Sequence, residues 1–460
     1  MFEDIPVEVS VEHEGERIRR IDTRVEFGGP KVRQKFELAR VRKVDEVEDG
    51  KVTVIGPDIK DMEEGSSQPI GIIVDVAGKK LTKDLESVLE RRIHAYINYI
   101  EGFMHLAQCI DVWLRISKSA FEKGLDSFTY VGKVLERLYK SDLPIVEKVQ
   151  TTFITDPLEI EKEIPTAIRT HEERDARARG LTEEEVEAFY GCTLCQSFAP
   201  THVCVITPER FSACGSISWF DAKASAKVDP NGPNFKIAKG ECLDPLRGEW
   251  GGVNDAIKRK SMVTIFKVYL HSIFGHPHTS CGCFEAIAFY IPEVDGIGIV
   301  NRGFEGAAVN GIPFSTMATH VGGGSQVEGF TGISINYMRS PKFLQADGGW
   351  NRIVWLPQML KEGRIKDDIP EEIYEKIATE ADVANVKELK GFLTEVEHPV
   401  ISRWEVPTPK PGLEKGAPAP GVEVVPAETV SVSRVPAGRI RIILKNVEIY
   451  VKRAIIKRTK

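Results

Sequence analysis

Cysteine is the residue that carries chemistry in this 460-residue sequence, at Cys109, Cys192, Cys195, Cys204, Cys214, Cys242, Cys281 and Cys283. Six of the eight fall into two tight sets. Cys109 and Cys242 stand alone and read as small buried hydrophobes. The first set, Cys192, Cys195, Cys204 and Cys214, has the spacing C-x2-C-x8-C-x9-C. Thiolates converging from one short segment can hold a tetrahedral zinc or an iron–sulfur cluster. A zinc ribbon usually offers a pair of C-x2-C knuckles. Here only the first pair is a knuckle, and the other cysteines sit on wide loops. That spread suits a cuboidal cluster, whose iron corners lie farther apart than the ligands of a single zinc. His202, inside the loop, reads as a surface or hydrogen-bonding residue.

The second set is the tripeptide Cys281-Gly282-Cys283. Thiols one residue apart fit poorly on one tetrahedral zinc. They can chelate a metal in a plane if the amide nitrogens of Gly282 and Cys283 also bind. Square-planar nitrogen–sulfur geometry suits nickel(II) or copper(II). Glycine in the middle lets the backbone fold without a Cβ clash. The thiolates keep spare lone pairs and can bridge to a second metal. His276 and His278, just upstream, offer a mixed His/Cys site as the alternative.

The elements that must position these residues are mixed. Lys51–Ile55 and Ile70–Asp75 read as strands. Leu85, Val88, Leu89, Ile93, Tyr96, Ile97 and Ile100 recur at helical spacing, and the periodicity lets that helix run to Ile116. A further helix is expected over 129–141 and a strand over 150–155. Residues 169–185 are heavily charged and read as a solvated face or a connection between domains. Thr182-Glu183-Glu184-Glu185 fits a capping box, so a short helix is expected to deliver the chain to Cys192. Residues 262–271 and 284–300 are apolar and expected to be buried. The glycine-rich stretch from Gly303 to Gly332 lacks a Walker A ending and reads as close backbone packing. Another helix is expected over 370–395. The overall expectation is a multidomain, mixed α/β (α+β) chain: 1–175, 176–400, then 401–460 as a Pro-rich linker and basic tail. The linker carries Pro407, Pro409, Pro411, Pro418, Pro420 and Pro426. The tail from Gly438 onward holds eight Lys or Arg against Glu448 alone, a net +7, and could dock on an acidic partner.

Composition narrows the classes. Lys plus Arg is 61 and Asp plus Glu is 68, a net charge of −7, which argues against nucleic-acid binding. No apolar run approaches the roughly 20 residues of a membrane helix, and no export signal is visible at the start. A cytoplasmic protein is the expectation, and in that compartment clustered thiols point to metals rather than disulfides.

Several runs carry a resemblance to a known family. They are Gly191-Cys192-Thr193-Leu194-Cys195-Gln196-Ser197-Phe198-Ala199-Pro200, the continuation through His202-Val203-Cys204 to Cys214, Thr279-Ser280-Cys281-Gly282-Cys283-Phe284-Glu285-Ala286, and Ala346-Asp347-Gly348-Gly349. Together they resemble acetyl-CoA synthase of the carbon monoxide dehydrogenase/acetyl-CoA synthase system. The length resembles its archaeal, beta-subunit form, and the likeness spans about 80–400. The resemblance implies a 4Fe-4S cluster joined to two nickel ions. Cys192, Cys204 and Cys214 would be terminal cluster ligands, and Cys195 would join the cluster to a proximal nickel. Cys281 and Cys283 would bridge the nickels, with the amides of Gly282 and Cys283 on the distal one. Phe198 would cover the proximal nickel. Acetyl-CoA would be made or cleaved from carbon monoxide, a methyl group and coenzyme A. The methyl donor would be a corrinoid iron–sulfur protein. Carbon monoxide dehydrogenase subunits would be partners, with ferredoxin a further one. Asp111-Val112-Trp113-Leu114-Arg115-Ile116-Ser117 resembles a stretch tied in the family to coenzyme A, which makes Trp113 and Arg115 candidates. Domain opening is expected, with 169–185 as hinge. The competing readings are an iron–sulfur electron-transfer subunit and a zinc-stabilised assembly module.

Overall fold

Two four-stranded sheets organise the N-terminal part of the chain in a computed structural model. The structure describes residues 1–404 and a short backbone ladder pairing Ser433–Arg434 with Ile440–Arg441. The Pro-rich linker at 406–426 and the rest of the basic tail lie outside the described residues. Met1–Val406 forms one compact unit, separate from Pro407–Lys460.

The N-terminal strands and helices, in chain order, are β1 (Thr23–Gly28), β2 (Lys35–Val41), β3 (Val52–Ile55), β4 (Ser67–Gln68) and β5 (Ile70–Ala77). They continue with α1 (Glu86–Asn98), β6 (Phe103–Ala107), β7 (Trp113–Ser117), α2 (Lys118–Glu122), α3 (Phe128–Asp142), β8 (Lys148–Ile154) and α4 (Pro157–Ala176). One sheet runs β4-β1-β7-β6 and the other β2-β5-β8-β3. β5 lies between parallel β2 and antiparallel β8 and is buried at every position, which explains its nearly unbroken apolar run. α3 turns Val131, Val134, Leu135 and Leu138 inward against β8.

α1 departs from the amphipathic pattern. All thirteen of its residues are buried, including Glu86, Glu90, Arg91, Arg92, His94 and Asn98. It does not run on to Ile116. The chain turns at Gly102, whose φ is +70°, where a Cβ would stand 2.4 Å from Ser117 Oγ. Beyond it the apolar residues alternate as β6 and β7, so Trp113 sits on a strand rather than on a helix.

The C-terminal part begins with β9 (Ala188–Cys192), β10 (Cys204–Ile206), α5 (Trp219–Val228), β11 (Asn234–Ala238), β12 (Cys242–Asp244), β13 (Glu249–Trp250) and α6 (Gly251–Lys260). Next come β14 (Ala286–Ile291), β15 (Gly296–Asn301), α7 (Phe314–Val321), β16 (Phe330–Ile333), α8 (Ile335–Met338) and β17 (Ile353–Trp355). α9 (Gln358–Lys361), α10 (Glu371–Tyr374) and α11 (Val386–Glu395) end the described part. β9 is the centre of a β10-β9-β11 sheet, and a second sheet runs β16-β14-β15-β17.

Several sequence expectations fail here for physical reasons. Glu185 does reach back to the backbone N and side chain of Thr182, but only turns lead on to β9 and no helix forms. The expected helix over 370–395 is two pieces, because Ala378 pairs with Trp355 in between and Asn385 caps a fresh start. Within 262–271, Val268 and Leu270 are buried, yet Met262, Val263 and Phe266 are exposed. Cys242 is exposed as well.

Most of 169–185 is exposed or half-buried, as a solvated face would be, but two of its charged residues are buried. Arg174, on α4, is buried and donates to Glu90 at 2.7 Å, to Glu86 at 3.0 Å and to the carbonyl of Ala39 at 2.8 Å. Glu183 is buried against His271 and Lys342. Burial alone would raise the Glu90 carboxyl. His171 and Arg174 beside it hold it at about 2. Its folded value is therefore depressed, so this stabilisation is complete above the ordinary carboxylate range and is lost as pH falls through about 2. Replacing Arg174 by Met strands two buried carboxylates. Arg174→Met is expected to cost about 3–5 kcal/mol, read as a lower urea midpoint at neutral pH. A midpoint equal to wild type would refute the role given to this network.

Candidate metal centre

The register of β9 and β10 places the first pair of thiols. Cys192 ends β9, Cys204 begins β10, and the two residues face each other across the antiparallel ladder. Cys195 follows in a tight 3-10 turn, Leu194–Ser197. Cys214 lies in the loop before α5, beside Ser212 Oγ at 3.3 Å, and Ala213 N donates to Cys204 Sγ at 3.4 Å. The strand pairing thus closes the wide C-x8-C loop that spacing alone left open.

The Cys281-Gly282-Cys283 loop comes in from a distant part of the chain. Gly323 N donates to Cys281 O and Gly324 N to Ser280 O, both at 2.9 Å. The triple glycine at 322–324 therefore serves close backbone packing, and what it packs against is the thiol loop itself. A Cβ on Gly322 would stand 2.8 Å from the Ala318 carbonyl. Arg302 donates to the carbonyls of Gly282 and Phe284. Gly282 has φ +140°, and a Cβ there would stand 3.3 Å from the Phe198 ring. Phe198 thus packs against this loop.

The sulfurs of Cys195, Cys281 and Cys283 lie within 4.8 Å of one another. They form a small cluster with Ala199 and Phe198. Hydrogen bonding to Cys195 and then burial push the Cys281 thiol well above its ordinary value. Burial likewise raises Cys192 to about 11 and Cys204 to about 12. Thiols so crowded and dry ionise only when a cation sits among them, which is the behaviour of a metal site. The donor set passes a second test. Cys283 N lies 3.3 Å from Cys281 Sγ, so an amide nitrogen sits on the sulfur side of the loop, as nitrogen–sulfur chelation requires. Cys192, Cys204 and Cys214 are buried thiols on β9, on β10 and in the loop that follows β10.

The histidines are placed differently. His276 packs edge-on against Tyr269. His278 accepts from Val205 N at 3.0 Å, and His202 meets Thr279 Oγ1 at 3.0 Å. Burial takes His202 down to about 3. These rings hold the strand and loop together and leave the mixed His/Cys site without support.

Several functional residues escaped the sequence. Arg91, on α1, is 1% exposed and donates to Cys195 Sγ at 3.2 Å and to Cys283 Sγ at 3.4 Å. Burial opposes its charge, but the sulfurs of Cys195, Cys283 and Cys214 and the Glu14 carboxylate keep it firmly cationic. His94, one turn on, lies 3.4 Å from Cys283 Sγ. Nothing in the sequence set these two apart from the other polar residues of the same helix, Glu86, Glu90, Arg92 and Asn98. A second convergence, of Glu90, Cys109 and His171, already has its cation, because both Glu90 oxygens are engaged by His171 and Arg174.

A cavity of about 1100 Å³ opens at the thiol loop, lined by Phe198, Cys281, Gly282, Cys283, Trp113 and Arg115 among others. Trp113 lies flat over Gly29, where a Cβ would meet its ring at 2.8 Å. Arg115 stands 5.0 Å from that ring's centre, and Glu26 takes up part of its charge at 2.6 Å.

Comparison with known proteins shows the family. The family described as the C-terminal part of the ACS/CODH beta subunit matches residues 171–405. The family described as the CO dehydrogenase/acetyl-CoA synthase complex beta subunit matches residues 5–160. The acetyl-CoA decarbonylase/synthase complex subunit beta of Methanothermobacter thermautotrophicus is 52% identical, covering 100% of both chains. Subunit beta 2 of Methanosarcina thermophila is 56% identical over 87% of this chain and 84% of its own. A solved C-terminal domain of an acetyl-coenzyme A synthase alpha subunit is 40% identical over 27% of this chain and 96% of its own, at a TM-score of 0.25.

Gly282→Ala tests the loop directly. Holding a side chain at φ +140° costs on the order of 1–3 kcal/mol. Nickel(II) affinity is expected to fall by about tenfold or more, with circular dichroism unchanged. Unaltered affinity would show that this backbone conformation is not needed for the metal.

Proposed function

The chain belongs to the carbon monoxide dehydrogenase/acetyl-CoA synthase beta-subunit family, and from that premise we propose that it makes or cleaves acetyl-CoA at a nickel and iron–sulfur centre. The carrying observation is the convergence of Cys195, Cys281 and Cys283 at one wall of a large cavity. In this reading Cys192, Cys195, Cys204 and Cys214 hold a 4Fe-4S cluster. Cys195, Cys281 and Cys283, with the amides of Gly282 and Cys283, hold two nickel ions. When bound, this centre supplies open positions for carbon monoxide and a methyl group and the means to join them as an acetyl group. Transfer of that group to the sulfur of coenzyme A would make the activity that of an acyltransferase.

The protein's own residues do the rest. Gly282, held through its carbonyl by Arg302, fixes the direction of both flanking thiols. Phe198 shields the loop and keeps its side of the cavity apolar. Arg91 offsets the charge of Cys195 and Cys283 as thiolates, which a dry site otherwise disfavours. Coenzyme A enters the cavity with its adenine on Trp113, and Arg115 sits near a phosphate with its charge shared with Glu26. The methyl donor is a corrinoid iron–sulfur protein, carbon monoxide comes from the dehydrogenase subunits, and ferredoxin is the electron partner. The division of labour follows the same reading. Residues 1–175 supply coenzyme A contacts and Arg91, residues 176–400 supply the thiols, and 401–460 is a linker and tail for partners.

Two measurements test this. Protein reconstituted with iron and nickel without oxygen is expected to exchange labelled carbon monoxide into the carbonyl of acetyl-CoA. Cys281→Ala is expected to abolish that exchange, and exchange that persists in it would overturn the assignment. Trp113→Ala is expected to weaken coenzyme A binding by about 1–3 kcal/mol, the usual worth of a base stacked on an aromatic ring. Equal affinity would remove Trp113 from the site.

A further inference from the structure

A buried file of polar side chains runs from the N-terminal sheet to the thiol loop. Glu37 on β2 and His105 on β6 have fully buried side chains, and Glu37 Oε2 meets His105 Nε2 at 2.8 Å. His105 Nδ1 meets His94 Nδ1 at 2.7 Å. His94 Nε2 lies 3.4 Å from Cys283 Sγ. The geometry is held from the side. Asn98 donates to the carbonyls of His94 and His105 at 3.0 and 3.1 Å and accepts from His105 N at 2.8 Å. Cys109 N donates to the other Glu37 oxygen at 3.3 Å. The two rings meet edge to face, 4.5 Å apart.

Donor and acceptor accounting makes this file directional. Two nitrogens facing each other at 2.7 Å need one proton between them. With both rings neutral, Glu37 as a carboxylate requires His105 to carry Nε2–H, which leaves His105 Nδ1 as acceptor. His94 must then carry Nδ1–H and present a bare Nε2 to Cys283, which suits a thiol. A metal-bound thiolate only accepts, so His94 must then present Nε2–H. The proton between the two Nδ1 atoms must then lie on His105, whose Nε2 still faces Glu37 Oε2. With Glu37 as a carboxylate, each arrangement gives every buried atom of the file a partner.

Resting on the metal-centre reading above, we infer that Glu37 and His105 are positioning residues that act through His94 on the sulfur of Cys283. They set whether the His94 Nε2 that faces the sulfur carries a proton, and thereby how strongly that sulfur donates to its metal. Partners beyond a metal's own ligands tune the metal in this way. His94 also lines the cavity, so the file ends where substrate enters.

The test uses the full chain with nitrogen-15 histidine, and nickel(II) as the metal probe. In metal-free protein, His94 is expected as a single Nδ1–H tautomer, with a coupling across the hydrogen bond to His105. A His94 that averages both tautomers would overturn the inference, whether or not the chain takes nickel. With nickel bound, His94→Phe removes the donor, so the thiolate-to-nickel charge-transfer band is expected to move to lower energy. Glu37→Gln keeps the shape but not the charge. It is expected to move the band the same way, with no further movement in the double variant. A band that moves in His94→Phe but stays put in Glu37→Gln would show that His94 acts alone and would overturn the file. If wild type takes up no nickel, the metal-centre reading falls, and the tautomer measurement still decides the file on its own.

Discussion

Bringing thiols together in a dry place is the constraint on which the rest of this structure depends. Crowded, buried thiols are costly as thiolates and weak as ligands unless positive charge is close. The fold answers in two ways. It brings three sulfurs to within 4.8 Å, so that one cation can serve all of them. It also sets the Arg91 guanidinium against Cys195 and Cys283 from the opposite side.

That demand explains why α1 is built as it is. A helix buried on every side should be apolar all round, yet α1 carries Glu86, Glu90, Arg91, Arg92, His94 and Asn98. Each has a use. Glu86 and Glu90 anchor Arg174 and so pin α4. Arg91 and His94, one turn apart, reach the sulfurs. Asn98 braces the histidine pair. The helix is an electrostatic mount for thiols supplied by the other half of the chain. Most of its polar groups are paired with residues of other elements, which ties the helix to one fixed geometry.

The cysteines were legible in the sequence because spacing is a local property. Cys192 and Cys195 had to be neighbours, and Gly282 had to allow an unusual turn. β5 and α3 were legible because unbroken and helical apolar periods are strong local signals. What could not be read was anything decided by contact between distant segments. The pairing of Cys192 with Cys204 needs β9 and β10 in register. The reach of Arg91 to sulfurs more than a hundred residues away leaves no local trace. Trp113 and Arg115 were placed by resemblance while the period suggested a helix; one left-handed glycine at 102 turned that helix into strands. The burial of Arg174 and Glu183 within the otherwise largely exposed 169–185 could not be read because their partners, Glu86, Glu90 and His271, lie elsewhere in the chain.

The central claim is that these thiols hold both an iron–sulfur cluster and nickel. Iron, nickel, zinc and copper per chain, measured after oxygen-free purification and reconstitution, test it most directly. The account predicts about four iron and about two nickel, from the ligand sets of the two cysteine groups. Iron without nickel after nickel loading would reduce the site to an electron-transfer cluster. Zinc alone would contradict the account and make the cysteines a structural clamp.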